Sequence, residues 1–203
     1  HIHPMALGRV LSQICFGSTL NIAASLANPA MPAIGVRGVY AKDMIMPVAE
    51  VMQEIGYREA IVLYGTVDGS ERGMDEASIC GKTHCARFVN GNEIETMTID
   101  PERLGIAGKN PEALAPEPDI RTESKRFAAL INNGENGPRK DAVLLNAGLI
   151  FLAAGKTDSL ESGIQQAATL LENGSAFGAL ENWVNAQNTD TQKGLDTLYR
   201  LVD

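Results

Sequence analysis

An apolar run of strand length, Ala60-Ile-Val-Leu-Tyr64, opens directly into a glycine-rich loop that closes on two adjacent carboxylates, Asp75 and Glu76. What precedes the run narrows the fold further. Residues 34–40 carry Ile34, Val36 and Val39 and read as a strand. Asp43 is placed to cap a helix that continues through Ile55, with Pro47 near its first turn and Gly56 as its stop. Met44, Ile45, Val48, Val51, Met52 and Ile55 recur at steps of three and four, which predicts one buried stripe. Strand, helix and strand in this order predict a parallel crossover in an α/β protein. Such sheets place ligand chemistry at the carboxyl ends of their strands, where the Gly65 loop begins. Adjacent carboxylates on a tight loop suit a hard divalent cation such as Mg2+, which prefers oxygen ligands and keeps waters and substrate phosphates. The same pair also fits a solvated acidic turn.

The rest of the chain fills in a fold class. Residues 77–80 read as another short strand. Asn90-Gly91 between 83–89 and 92–99 is a hairpin signal. Residues 100–119 hold four prolines, Pro101, Pro111, Pro116 and Pro118, and read as an irregular surface connection. Helical patterns follow over 119–132, with Phe127, Leu130 and Ile131 on one side, and over 139–154. The second is apolar on every side and so is expected to be buried all round; Asn146 interrupts it. Asp158 with Glu161 suggests an acidic capping box for a helix whose inner stripe is Leu160, Ile164, Ala167, Ala168 and Leu171. Ser175 is placed to cap a further helix carrying Phe177, Leu180, Trp183 and Val184, and the last runs through Leu201. At the amino end, residues 5–14 follow Pro4 as a helix, and 20–27 form a second apolar segment stopped by Pro29 and Pro32. The expected architecture is a mainly parallel sheet flanked by helices, with a β-hairpin and a helical C-terminus.

Charge and cysteine content exclude several classes. The 203 residues carry 17 basic and 25 acidic side chains, a net charge of −8, which argues against a general nucleic-acid binder. Cys15, Cys80 and Cys85 make neither a disulfide framework nor a zinc site, and reduced thiols in a cytoplasmic protein are expected. No apolar run reaches the roughly 18–20 residues of a membrane span.

Several stretches in fixed order carry a resemblance. Asn21-Ile-Ala-Ala-Ser-Leu-Ala-Asn-Pro29 is followed by Gly38-Val-Tyr40, Pro47-Val-Ala-Glu50, Leu63-Tyr-Gly65 and Gly73-Met-Asp-Glu76. Later come Asp100-Pro-Glu-Arg-Leu-Gly105, Asp141-Ala-Val-Leu-Leu-Asn-Ala147, Ala154-Gly-Lys156 and Gly174-Ser-Ala176. Together they resemble the C-terminal part of anthranilate phosphoribosyltransferase, from about His3 to Ala186. The resemblance implies that residues 1–203 are the C-terminal part of one phosphoribosyltransferase-type α/β domain. That family's N-terminal helical domain and donor-binding glycine loop would be absent from this chain. It also implies Mg2+-dependent transfer of phosphoribose from phosphoribosyl pyrophosphate (PRPP) to an aromatic amine such as anthranilate, in tryptophan biosynthesis. The complete protein would be a cytoplasmic pentosyltransferase and a homodimer through the missing helical domain, and this chain alone would be inactive. Asp75 and Glu76 match the family's metal-binding pair, and His3, with Pro4, matches a His-Pro pair lining its aromatic-substrate pocket.

The departures from the family bear on the acceptor. The family's Gly-Thr-Gly-Gly-Asp loop, which cradles the donor through backbone N–H groups, would lie before His1. Its substrate-binding Arg falls near Leu11, and Ala24-Ser25 stands where the family has Gly-Pro. A carboxylate-reading pocket without that Arg loses a bidentate, charge-assisted contact. The loop between Gly65 and Asp75 is longer than usual, and Arg72 within it is a candidate phosphate contact or an exposed loop charge. A diverged paralogue outside tryptophan synthesis, binding nucleic acid or a small ligand, is the alternative reading.

Overall fold

The computed structural model describes Gln13 and residues 19–106, 108, 110–187 and 189–202, with backbone alone at 19–21. His3, the helix expected over 5–14 (Gln13 apart), Leu11 and Cys15 lie outside the described residues.

Alternation along the strands builds a three-layer core. β1 (Ile34–Gly38) pairs in parallel with β2 (Glu59–Thr66), joined by helix α2 (Ile45–Glu54). The expected crossover is present. On the other edge of β2 lies β4 (Thr83–Val89), antiparallel, followed by antiparallel β5 (Glu95–Ile99). The two-residue β3 (Gly73–Met74) pairs antiparallel with Gly65 and Thr66. The sheet order is thus β1-β2-β4-β5, with β3 beside β2. Among the described strands the sheet is mixed, and the parallel arrangement expected for most of it is confined to β1 and β2. Asn90 and Gly91 open the β4–β5 hairpin loop, both at positive φ (53° and 74°), as expected of an Asn-Gly turn.

Both faces of β2 are covered, so its alternate residues enter two cores. Ile61 and Leu63, with Cys85 of β4, pack under α4 (Pro138–Ala153) through Leu145, Leu149 and Leu152. Ala60 and Val62, with Phe88 of β4, pack under α2 and α1 (Thr19–Leu26) through Val48, Met52 and Leu26. A third cluster joins α4 to α5 (Leu160–Glu172) through Leu144, Ala167 and Leu171. The C-terminal part is helical, as expected: α6 (Ser175–Gln187) and α7 (Thr191–Val202) pack together and against α3 (Ile120–Ile131). Among the described residues no helix is long and apolar enough to cross a membrane.

Four local expectations are corrected. Asp43 makes no helix cap; it sits in a 3-10 turn (Lys42–Met44), and α2 begins at Ile45 with no side-chain cap. Residues 77–80 form no strand, although all four are buried. The cap of α5 is Ser159, whose hydroxyl accepts from the Ser162 N–H while the Ser159 N–H donates to the Ser162 hydroxyl; Asp158 and Glu161 only flank this box. The α2 stripe and α4 are incompletely buried: Val51, Ile55, Val143 and Ile150 are exposed. The last two belong to the groove described next.

Candidate active site at the strand ends

The register explains where the carboxylate pair lies. β1 ends at Gly38, opposite Leu63, whereas β2 runs on to Thr66. β4 occupies one edge of β2 as far as Gly65, so β3 takes the edge that β1 vacates. The chain leaves β3 at Met74 and places Asp75 and Glu76 over the carboxyl end of β1. Sequence reasoning put the pair at a strand end, and the structure agrees; which strand it lies over depends on this register.

Two glycines seat the backbone of the pair. A Cβ added at Gly38 would lie 1.5 Å from the Asp75 carbonyl oxygen, and one at Gly65 would lie 2.4 Å from that of Glu76. No side-chain-bearing residue fits either position without displacing main chain. Immediately after the pair, Ala77 is held from the facing helix. Its N–H donates to Asn146 Oδ1 at 2.9 Å, and Asn146 Nδ2 donates back to its carbonyl at 3.1 Å. Neither the glycine seat nor the role of Asn146 was read from the sequence. The available signal was a single amide within the apolar stretch 142–153 of that helix.

Both carboxylates are exposed, and among the described residues neither enters an ion pair. They border a groove of ≈ 440 Å³ whose walls are Val36, Leu63, Val143, Asn146 and Ile150. An acidic rim on an apolar trough is suited to a cation bridging to a ligand that has both charged and apolar parts. Among the described residues no group of three or more His, Cys, Asp or Glu side chains converges on one point. The pair therefore supplies two oxygen-donor side chains, which fits Mg2+, a cation that keeps waters and substrate phosphates in its shell; it does not fit zinc. Arg37, half-buried on β1, is the nearby cation: burial lowers its pKa, against opposing pulls from Tyr57 and Asp75. Its Nε is buried without a hydrogen-bond partner. Arg72 is exposed on the loop, its backbone N–H donating to Ser70 Oγ at 3.0 Å, and among the described residues it makes no ion pair with either carboxylate. His3 lies outside the described residues, so the structure does not relate it to this groove.

Cys85 and Cys80 take no part. Both are buried free thiols, and burial pushes Cys85 up to about 12 and also raises Cys80.

Residues 6–177 match the family described as "Glycosyl transferase family, a/b domain". The chain is 34% identical over 196 residues to the anthranilate phosphoribosyltransferase of Bacillus cereus (strain B4264), covering 95% of this chain and 54% of that protein. It superposes on the crystal structure of anthranilate phosphoribosyltransferase from Thermus thermophilus with a TM-score of 0.71 at 29% identity, over 86% of this chain and 49% of that one. The Saccharomyces cerevisiae enzyme, solved in complex with PRPP and Mg, shares the fold at a TM-score of 0.69 and 19% identity, over 86% of this chain and 48% of that one. The chain thus spans about half the length of the curated relatives it matches.

Proposed function

This chain belongs to the glycosyl transferase family, in its a/b domain, and from that membership we propose that it carries the metal-binding half of a PRPP-dependent phosphoribosyltransferase site. The reaction moves phosphoribose to an aromatic amine such as anthranilate, in tryptophan biosynthesis. The observation that carries the reading is the seated pair Asp75–Glu76, exposed and, among the described residues, outside any ion pair, at the carboxyl end of β1.

Asp75 and Glu76 would hold Mg2+. When bound, that ion offsets the charge that develops on a departing pyrophosphate. The chain's own residues present two carboxylates at a fixed backbone position and line an apolar trough through Val36, Val143 and Ile150, where an aromatic acceptor can lie. His3 is proposed to contact that acceptor. The 34% identity to an anthranilate phosphoribosyltransferase supports this choice of reaction, and a protein of the same fold has been solved with PRPP and Mg. Because the chain spans about half the length of the curated relatives it matches, we propose that these 203 residues are inactive alone. Turnover would need the rest of a relative-length protein, working in the cytoplasm as a homodimer through its helical domain.

The test is turnover by the full-length protein. Pyrophosphate release from PRPP with anthranilate or a substituted aromatic amine should require Mg2+ and stop with excess chelator. Failure to consume PRPP with any aromatic amine would overturn the reading, and a salt-dependent shift of a nucleic-acid probe would then favour the binding-protein alternative.

A further inference from the structure

Ala77 is buried and follows the carboxylate pair directly, yet no strand partner satisfies its backbone. A buried peptide group in that position needs both its N–H and its C=O paired. Asn146 of α4 does both. Its Oδ1 accepts from the Ala77 N–H, and its Nδ2 donates to the Ala77 carbonyl and, at 2.9 Å, to the Ala142 carbonyl one turn back in its own helix. Both amide protons and one lone pair of the oxygen are thus in use. Flipping it would set its oxygen against two carbonyls, so the orientation is determined by its partners. An amide facing a strand-like peptide group in this way stands in for a missing β partner. The two residues just before Ala77 rest on Gly38 and Gly65.

We propose that Asn146 is a positioning residue for the metal site: it clamps Ala77 and thereby fixes where Asp75 and Glu76 present their oxygens. The inference rests on the functional reading above, in that the pair binds Mg2+. Groups that orient metal ligands without touching the metal typically change metal affinity about 10–100-fold when removed.

Two variants separate the hydrogen bonds from packing. Asn146→Ala removes the amide and its volume; Asn146→Leu keeps the volume and removes the hydrogen bonds. In the full-length protein, calorimetric titration of Mg2+ in the presence of PRPP should show both variants weakened by about 10–100-fold. Adding Asn146→Ala to Asp75→Asn, which leaves one carboxylate of the pair, should cost less than Asn146→Ala does alone, because Asn146 acts through that pair. Unchanged affinity, restoration by Leu, or fully additive loss on the Asp75→Asn background would each overturn the proposal. Native hydrogen exchange needs no variant. The Ala77 amide should exchange far more slowly than those of the exposed loop at 69–72, and comparable rates would refute the clamp. If the native protein binds no Mg2+ with PRPP, the functional reading fails and the metal role with it, while exchange at Ala77 still decides the clamp.

Discussion

Replacing Gly38 with Ala tests the seat beneath the carboxylate pair. The added Cβ would lie 1.5 Å from the Asp75 carbonyl oxygen, 2.2 Å from its carbonyl carbon and 2.8 Å from its Cα. An ordinary carbon–oxygen contact is about 3.3 Å, so the end of β1 and the Asp75 backbone must part by about 1.8 Å. All three neighbours are main chain, so no rotamer change relieves the clash. Overpacking of this kind costs about 1–3 kcal/mol, which in a domain of this size lowers the melting temperature by about 2–12 °C. The larger effect falls on the site, because a displacement of about 1 Å in a binding constellation can cost on the order of 100-fold. We expect Gly38→Ala in the full-length protein to weaken Mg2+ binding in the presence of PRPP by more than about tenfold, measured by calorimetry beside a thermal melt. Gly178→Ala is the control, since a Cβ there meets nothing within 4 Å and should be neutral or stabilise α6 by about 0.5–1 kcal/mol. Native-like metal affinity in Gly38→Ala would refute the argument that this glycine places the pair.

Three further outcomes follow from other parts of the structure. Ser159→Ala removes the cap of α5 and should cost about 1 kcal/mol, or about 2–4 °C in melting temperature; Asp158→Ala, outside the box, should cost much less. The Glu123 carboxyl is held below its ordinary range, first by the hydrogen bond from Arg139 and then by the Glu117 N–H. A depressed carboxylate stabilises fully above its unfolded value and loses that contribution as pH falls through the folded one. Glu123→Gln should therefore narrow the drop in melting temperature between about pH 6 and about pH 3, and an unchanged drop would contradict it. With Cys85 pushed up to about 12 and Cys80 also raised, neither presents appreciable thiolate at about pH 8. Peptide mapping after iodoacetamide should find both unmodified in the native protein and both labelled in denaturant.

What could be read in the sequence was what local pattern determines. The 34–40 and 60–64 runs became β1 and β2 because short apolar segments bounded by Gly and turn residues have few other uses. The acidic pair was placed at a strand end because the glycine-rich loop follows the strand directly. Strand direction beyond that loop was not legible, since pairing β4 antiparallel to β2 depends on tertiary register. Residues 77–80 looked like a strand because they are apolar and short; their burial comes from loop packing, with Asn146 supplying the partner. The exposure of Val51, Ile55, Val143 and Ile150 shows that an apolar stripe does not by itself establish burial. Asp158 and Glu161 fit the spacing of a box closed by an acid, whereas the box that forms is the hydroxyl pair one residue on, Ser159 with Ser162. Gly38 could not be distinguished from other glycines until the Asp75 carbonyl was found against it.

The central claim is that Asp75 and Glu76 bind a divalent cation together with a pyrophosphate-bearing donor. Isothermal calorimetry of Mg2+ and PRPP with the full-length protein, beside Asp75→Asn/Glu76→Gln, tests it directly. The account predicts PRPP binding that needs Mg2+ and is lost in the double variant while its melting temperature stays within a few degrees of native. Mg2+-dependent PRPP binding retained in the double variant, or no such binding in the native protein, would contradict it.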